Sequence, residues 1–566
     1  MADLRSIIDN SGSRRRWPWI AALTVLVLIG VSVALAGGHR PLTDPAAGGT
    51  SGTLQFALID YQRSPDPQRR ASYAQSLIAD NITDKLTWQD PASGAITPWL
   101  ARSWSHNRDL TQFTFHLRHD VTFSDGTPFN AAVVKANFDQ YVHGDPQLGI
   151  LPNGVTLMPG YLGVEAPDPY TAVVEFSKPL ASFPQASSFT GGAGPGFVSL
   201  STLKLSAQQR TDPTKVIGTG PFVYQSWVLQ VRTVLVRRQG YRWAPPALGH
   251  TGAAYLDKIV FTTIPEASVR AGSLTSGAID ATLDVGTTDE EPLTRQGYSI
   301  VHRETSGTSI FFNFNSQLFP TNDLAVRRAI QLGWDREALR KTVLTPSYSV
   351  ATSVLGPSVA GYADYSSTDL RYDPKRAAAL LGADGWTPGP DGIRVKDGKK
   401  LVVKLLGLSN LVVNKPAYEL IQQNLKQIGI DLELSVLPIP DYAARHAKAA
   451  TTYHIDAANL SRDDPAVLNQ LYNPGLGNGT YLGKNSTGVD VGEVTSTLGK
   501  LETTLDPALR ARYTKAAQDL LIDKYALVNP VYNPSQVIAE APYVHGIIFD
   551  AQSRNLFVDT WKSNGS

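Results

Sequence analysis

The residues best suited to chemistry in this sequence are two adjacent aspartates, Asp463 and Asp464, in the stretch AANLSRDDPAVLNQL (457–471). Glycoside hydrolysis uses a pair of carboxylates, one as acid and the other as base or nucleophile. Such a pair must flank its substrate at roughly 5–10 Å, which adjacent residues seldom do, and a turn before Pro465 explains the two aspartates as well. The glycosidase hypothesis therefore requires that both carboxyl groups line a cleft.

Other catalytic and metal-binding motifs do not appear in the sequence. The ten histidines form no H-E-x-x-H, and His116 and His119 are predicted to face opposite sides of a strand. Zero cysteines exclude disulfides, thiolate metal sites and cysteine nucleophiles. GGAGPG (191–196) lacks the lysine of a phosphate-binding loop, and there is no G-x-S-x-G elbow. The sequence predicts no enzyme, no cofactor and no metal site.

The composition is typical of a globular protein large enough for several lobes. The 566 residues are 42% hydrophobic and 18% charged, which allows a large core. The formal net charge of +1 gives no electrostatic argument for a nucleic-acid partner. No repeat with a period of 20–50 residues is present, which excludes solenoids and propellers.

The first 36 residues predict a signal peptide or a signal anchor. Three arginines (14–16) precede an uncharged run from Trp17 to Gly38, and ALA (34–36) is an A-x-A cleavage site. The uncharged run would span ~33 Å as a helix, so an anchor at residues 17–36 is an alternative to cleavage. In both cases the rest of the chain lies outside the cytoplasmic membrane. Gly38 stands where a lipoprotein signal carries cysteine, so the protein is not lipidated.

Residues 37–53 are rich in glycine, proline, alanine and threonine without an apolar period, which predicts a flexible tether. The first half of the remaining chain reads mainly as short strands. TQFTFHLR (111–118) alternates as a strand does, and Asn130 can cap a following helix.

The second half of the chain has a different pattern. LVVKLLGL (401–408), KPAYELIQQNLKQIG (415–429) and IDLELSVLPI (430–439) predict a strand, a helix and a strand in one βαβ unit. The final segment is rich in strands again, so the chain is expected to return to the first lobe. Two crossings between lobes would form a hinge that closes over a ligand.

Several stretches, in order along the chain, resemble family 5 of the extracellular solute-binding proteins, the oligopeptide-, dipeptide- and nickel-binding group of ABC importers. Each is weak alone, but together they are specific. They are FTFHLRHDVTFSDGTPFNAAVV (113–134), GTGPF (218–222), AGSLTSGAIDATLDV (271–285), FFNFNSQLFPTNDLAVRRAIQLGWDREAL (311–339), YDPKRAAALLGADGW (372–386) and IQQNLKQIGIDLELSVL (421–437).

The resemblance implies a mixed α/β (α+β), two-lobed periplasmic-binding-protein-like fold with a hinge and an extra β-rich subdomain in the first lobe. The implied ranges are lobe I at 54–308, with the subdomain at about 75–215, lobe II at 309–530, and a return to lobe I at 531–566.

The resemblance also implies a function: a monomer outside the membrane captures a peptide or peptide-like ligand between its lobes and delivers it to an ABC permease. One alternative is a membrane-tethered regulator of the cell envelope that uses the fold without transport. A second alternative is a binder of a sugar or an anionic non-peptide ligand.

The family's ammonium-binding site is altered in this sequence. In peptide-binding members an aspartate four residues before a D/E-P proline binds the peptide's α-ammonium, often beside a tryptophan; here those positions carry Ser461 and Ala458. Arg462 would repel an ammonium and could bind a carboxylate or phosphate. Asp463 or Asp464 could replace the anchor. The alternative for Arg462 is a solvated loop residue paired to those aspartates.

The remaining candidate residues are assigned by similar position. Tyr61 and Gln62 would line the cleft from the first lobe, while Tyr532 and Asn533 would close its wall in the return crossing. The predicted ligand-binding residues are Tyr61, Gln62, Asn459, Ser461, Arg462, Asp463, Asp464, Tyr532 and Asn533.

Overall fold

The computed structural model describes residues 49–50, 52–69, 72–190, 194–476 and 481–563, which belong to one compact unit. The predicted signal segment and most of the predicted tether lie outside these residues. The strands are β1 (Gly49–Thr50), β2 (Thr53–Leu58), β3 (Thr87–Gln89), β4 (Ile96–Pro98), β5 (Ala101–His106), β6 (Gln112–Leu117), β7 (Tyr161–Asp168), β8 (Thr171–Phe176), β9 (Phe222–Val228), β10 (Arg232–Arg237), β11 (Lys258–Thr263), β12 (Ala281–Leu283), β13 (Ser299–Glu304), β14 (Ile310–Phe314), β15 (Ser349–Val350), β16 (Thr387–Pro388), β17 (Arg394–Lys396), β18 (Lys399–Lys400), β19 (Val402–Leu408), β20 (Asp431–Leu437), β21 (Ile455–Ala458), β22 (Val528–Asn533), β23 (Ser535–Glu540), β24 (Val544–His545), β25 (Ile548–Phe549), β26 (Asn555–Leu556) and β27 (Trp561–Ser563).

The α-helices lie between these strands. They are α1 (Tyr73–Ala79), α2 (Ala131–His143), α3 (Phe183–Ala186), α4 (Leu200–Leu203), α5 (Ala267–Thr275), α6 (Glu290–Arg295), α7 (Leu324–Leu332), α8 (Arg336–Thr342), α9 (Pro374–Ala383), α10 (Asn414–Gln427), α11 (Ile439–His446), α12 (Val467–Tyr472), α13 (Val491–Gly499) and α14 (Pro507–Gln518).

Two large mixed sheets organise the fold. The first is seven-stranded, in the order β13-β23-β12-β2-β11-β10-β9, and the second is six-stranded, in the order β15-β22-β14-β21-β19-β20. We call the part of the chain that forms the first sheet the first lobe and the part that forms the second sheet the second lobe. The chain passes from one sheet to the other between Glu304 and Ile310 and returns at Pro534. The predicted mixed α/β, two-lobed architecture is confirmed.

The first lobe also carries a four-stranded antiparallel sheet in the order β5-β6-β8-β7. Strand β6 alternates between buried and partly exposed side chains, as its sequence predicts. Helix α2 packs on this sheet, and the Asn130 side chain accepts a hydrogen bond from the Val133 amide at its start, which is the predicted N-cap.

The second lobe contains the predicted βαβ unit. Strands β19 and β20 pair in parallel, and α10 connects them. Helix α10 buries Ala417, Tyr418, Ile421 and Leu425, a helical stripe that faces the sheet. This apolar period and the glycine that ends the helix are sufficient to specify the unit locally.

The hydrophobic cores follow the two sheets. One core joins the first sheet to the four-stranded sheet and includes Phe56 and Phe113. A second core surrounds the second sheet, but it also includes Ala57 and Ala539 from the first sheet. The two sheets therefore share buried packing near the crossings, which positions the segments that meet between the lobes.

Candidate functional site

The candidate ligand segment 459–464 follows β21 and lies against the first crossing. The Thr308 amide donates to the Leu460 carbonyl at 3.0 Å, and the Leu460 amide donates to the Thr308 hydroxyl at 2.8 Å. Gly307, at φ +110°, lies so close that a Cβ there would be 2.4 Å from both the Arg462 amide nitrogen and the Leu460 oxygen. The crossing thus determines where Ser461 and Arg462 are placed.

Arg462 is buried, with 2% of its surface exposed, so the alternative of a solvated loop arginine is wrong. Its Nε donates to Oε1 of Gln185 in the first lobe at 3.2 Å, and one Nη donates to Oε1 of Gln470 at 3.4 Å. The second Nη is buried without a hydrogen-bond partner among the described residues, as is the hydroxyl of neighbouring Ser461. Two consecutive residues therefore each carry a buried donor that is unsatisfied within the described part of the chain.

Two glutamines of the first lobe contact this loop, and a third glutamine and a threonine are hydrogen-bonded behind them. Gln89 Nε2 donates to the Asp463 carbonyl at 3.0 Å, and Gln89 Oε1 accepts from Gln552 Nε2 at 2.9 Å and from Gln185 Nε2 at 3.3 Å. Thr190 donates to Gln552 Oε1 at 2.9 Å. We call Gln89, Gln185, Gln552 and Arg462 the interlobe polar cluster. No local sequence pattern predicts its three glutamines, because they converge from segments that are far apart in the chain.

The two aspartates beside Arg462 have different environments. Asp464 accepts two hydrogen bonds from Arg510, at 2.8 and 3.0 Å, and one from the Ala466 amide at 2.8 Å. Burial opposes its charge, but the positive charges of Arg510 and Arg462 bring the pKa of Asp464 below its ordinary value. This carboxylate is fully engaged, so the geometry supports neither the glycosidase hypothesis nor Asp464 as an ammonium anchor.

Asp463 has the opposite shift. Burial raises its pKa to about 7, the negative charge of Asp464 adds to this, and Arg303 of the first lobe offsets part of it. Burial therefore disfavours the ionised form of the Asp463 carboxyl group when no further cation lies beside it. Asn459, which is partly exposed, begins the same loop.

Tyr61 and Gln62 lie elsewhere in the first lobe. Gln62 is buried; its Nε2 donates to the Tyr224 hydroxyl at 2.5 Å and its Oε1 accepts from the Thr233 hydroxyl at 2.8 Å. Tyr61 lies under the Arg63 guanidinium, 5.6 Å from the ring centroid. The cavity beside Tyr61 and Gln62 has a volume of about 10 Å³, which holds at most a water molecule.

Tyr532 and Asn533 belong to β22 of the second sheet, so the chain re-enters the first sheet only at Ser535. Tyr532 is fully buried in the second core, and its hydroxyl donates to Asn414 Oδ1 at 2.6 Å. Asn533 donates to the Ser349 hydroxyl at 2.8 Å, and its own Oδ1 is buried without a partner among the described residues. The structure therefore brings together residues 461–464 but places both tyrosines in other surroundings.

Within the described residues, no group of three or more histidine, cysteine, aspartate or glutamate side chains is arranged to hold a metal ion. Among the helices of this part of the chain, none has the length and apolar character needed to cross a membrane.

Comparison with known proteins gives a clear family. The family model for bacterial extracellular solute-binding proteins, family 5, matches residues 95–481. The nickel-binding periplasmic protein of Escherichia coli K12 is 30% identical over 369 residues, covering 64% of this chain and 66% of that protein. The glutathione-binding protein of the same strain is 25% identical over 433 residues, covering 75% of this chain and 78% of that protein.

Solved structures support the same fold. NikA from Brucella suis in complex with Fe(III)-EDTA has a TM-score of 0.76 at 23% identity, covering 91% of this chain and 100% of that chain. DppA from Helicobacter pylori in complex with the peptide STSA has a TM-score of 0.74 at 24% identity, covering 91% and 99%. At these identities the similarity establishes the fold alone.

Proposed function

The chain belongs to family 5 of the bacterial extracellular solute-binding proteins, and from that premise we propose that it captures a small polar solute and delivers it to the permease of an ABC importer. The observation that carries the proposal is the interlobe polar cluster, where Arg462 of the second lobe meets Gln185 and Gln89 of the first. A ligand that contacts both lobes favours the closed arrangement by its differential affinity, and a permease can recognise closure. In this role the protein is a binder and performs no catalysis.

We propose that the first lobe comprises residues 54–308 and 534–566 and the second lobe residues 309–533, which moves the return crossing three residues beyond the 531 expected from the resemblance. The change of sheet between Glu304 and Ile310 supports the first boundary, while the membership of β22 in the second sheet favours a return at Pro534. The four-stranded sheet at 101–176 supports the extra subdomain of the first lobe.

We propose that the ligand presents a carboxylate to Arg462 and Ser461. Both residues offer a hydrogen-bond donor that lacks a partner among the described residues, and an ionised acceptor matches them best. Asp464 is engaged by Arg510 and Asp463 has a raised pKa, so a free ammonium finds no strong partner in this loop. This favours an acidic or N-blocked peptide-like solute within the peptide class.

The glutathione-binding relative supports a peptide-like solute, because glutathione is a tripeptide with free carboxylates. The nickel-binding relative is more similar in sequence, yet the described residues include no cluster of metal-ligating side chains. A metal would therefore need to arrive as a chelate whose carboxylates contact the protein. Either solute would present the same anionic group to Arg462.

Native mass spectrometry of the full chain purified from its own host tests the proposal. We expect an additional discrete mass that is lost after unfolding and refolding, and the same spectrum reports whether the mature chain starts at Gly37 or keeps residues 17–36 as an anchor. An empty protein that mixed peptides also fail to stabilise against heat would contradict the transport function. That result would favour a tethered regulator of the cell envelope.

A further inference from the structure

Glu502 makes a contact between the lobes that lies beside the interlobe polar cluster. It follows α13 in the second lobe, and both oxygens of its carboxylate accept hydrogen bonds from Ser182 of the first lobe. The Ser182 amide donates to one oxygen at 3.0 Å and the Ser182 hydroxyl donates to the other at 3.0 Å. The Ala181 amide donates to the Glu502 carbonyl at 3.1 Å. Ser182 itself is fully buried.

The same short segment of the first lobe is also held by Arg462. Gln185 lies three residues after Ser182, in α3, and accepts from Arg462 Nε at 3.2 Å. Thus residues 462 and 502, which are 40 positions apart in the second lobe, both make hydrogen bonds to residues 181–185 of the first lobe. Opening the cleft on this side would break both sets of hydrogen bonds.

Helix α3 is in turn joined to the strand that carries Gln89. The Thr87 hydroxyl donates to the Pro184 carbonyl at 3.1 Å and lies 2.7 Å from the Ser187 hydroxyl. Gln89 belongs to the same strand as Thr87, β3. A displacement of α3 would therefore move Gln89 as well as Gln185 within the interlobe polar cluster. The Glu502 contact is therefore coupled to the site without being part of it.

Burial and the neighbouring charges have opposing effects on the carboxyl group of Glu502. Burial raises the pKa of its carboxyl group, Arg462 opposes that rise, and Asp464 adds to it. Hydrogen bonds to an ionised carboxylate are stronger than neutral ones but carry a desolvation cost. The net stabilisation from the Ser182–Glu502 hydrogen bonds is therefore modest, which suits a contact that shifts the equilibrium between the open and closed arrangements.

We propose that Glu502 and Ser182 form a latch between the lobes that favours the closed arrangement and so increases ligand affinity. This inference rests on the hinged, two-lobed function proposed above. It adds a contact within the protein that determines the fraction of molecules in the closed arrangement at a given ligand concentration.

The absence of cysteine in the chain allows a direct test. Cysteines introduced at exposed Ser103 in the first lobe and exposed Lys375 in the second give two unique labels. The distance between them is measured by single-molecule fluorescence energy transfer on the full chain without ligand. Glu502→Ala should raise the open-to-closed ratio by about tenfold, since it removes both side-chain hydrogen bonds to a charged group.

Glu493→Ala is the matched control, because Glu493 pairs with Lys524 and Tyr525 inside the second lobe. It should leave the distance distribution unchanged. Ser182→Ala removes only the hydroxyl bond and should shift the ratio in the same direction by less, which keeps the test available if Glu502→Ala folds poorly.

The latch is refuted if the folded Glu502 and Ser182 variants give the distribution of the Glu493 control. Peptide affinity, titrated separately, distinguishes this failure from failure of the proposed function. A shifted distribution in a protein that binds no peptide would support the latch and contradict the peptide-like ligand. Normal peptide affinity with an unshifted distribution would contradict the latch alone.

Discussion

At the scale of single residues, the proposed recognition depends most on Arg462. Another buried arginine, Arg210, is fully neutralised by Asp66 at 2.9 Å with a carbonyl and a glutamine in support. Arg462 instead donates hydrogen bonds to two neutral glutamine oxygens, and one of its Nη atoms remains without a hydrogen-bond partner among the described residues. Its charge also acts on the nearby carboxyl groups of Asp464 and Glu502, neither of which accepts a hydrogen bond from it. Because this buried guanidinium has an unsatisfied donor, hydrogen bonding to an anionic ligand would lower its free energy.

Asp463 allows a prediction of pH dependence at the same scale. Its pKa is raised from 3.8 to about 7, so the folded state binds the proton more tightly than the unfolded state does. The stabilisation from this group is complete below pH ~4 and is lost as the pH rises towards 7. Over that range the free energy of unfolding falls by about 1.4 kcal/mol per pH unit, and by a few kcal/mol in total at most. Asp463→Asn should therefore gain stability relative to wild type between pH 4 and pH 8, measured by urea unfolding.

The adjacent residue provides the control. The pKa of Asp464 is lowered, so its contribution is lost only as pH falls below its ordinary value of 3.8. Asp464→Asn should be destabilised by a nearly constant amount between pH 4.5 and pH 8, because the change leaves Arg510 without its carboxylate. Equal pH profiles for wild type and Asp463→Asn would contradict the raised pKa.

At the scale of elements, the crossing between β13 and β14 is the part that fixes the ligand loop. Its backbone exchanges hydrogen bonds with Leu460 through Thr308, and Gly307 approaches the loop more closely than any side chain would allow. A hinge segment that touches the ligand loop can transmit lobe rotation to the site. We therefore propose that this crossing both acts as a hinge and positions residues 459–464.

Gly307→Ala should reduce both stability and ligand affinity. The new Cβ would lie 2.4 Å from two backbone atoms of the loop, and φ +110° is unfavourable for alanine. We expect a loss of ~2–4 kcal/mol in the free energy of unfolding and at least a tenfold loss of affinity, measured by urea unfolding and calorimetric titration.

Gly126→Ala is the matched control for this substitution. Gly126 also has a positive φ, +85°, but no atom lies within 4 Å of the added Cβ. It should cost ~1 kcal/mol of stability through backbone strain alone and leave affinity unchanged. Equal affinities for the two variants would show that the crossing does not position the loop.

The elements also show what sequence can predict. The βαβ unit, the N-cap of α2 and the alternation of β6 depend on residues close together in the chain, and each is confirmed. The buried hydrogen-bond partners of Gln62, which are Tyr224 and Thr233, lie more than 160 positions away in the sequence. Long-range convergence of this kind leaves no local pattern.

At the scale of the whole molecule, the two-lobed fold follows from a chain that changes sheets twice. The order of family motifs was sufficient to predict that architecture. It could not predict Gln89, Gln185 and Gln552, since the Gln89–Gln552 contact joins residues 463 positions apart. The residues that the first lobe contributes to the candidate site can therefore be identified only from the three-dimensional structure.

The measurement that tests the central claim most directly is a calorimetric titration of the full chain with one tripeptide in three forms: unmodified, N-acetylated and C-amidated. We predict that acetylation leaves affinity unchanged and that amidation weakens it at least tenfold. Arg462→Ala should cause a similar loss for the unmodified peptide and no further loss for the amide, because both changes remove one interaction. Arg512→Ala, at an exposed position of α14, should behave as wild type. Loss of binding on acetylation but not on amidation, or no binding of any form, would contradict recognition of a peptide-like carboxylate by Arg462.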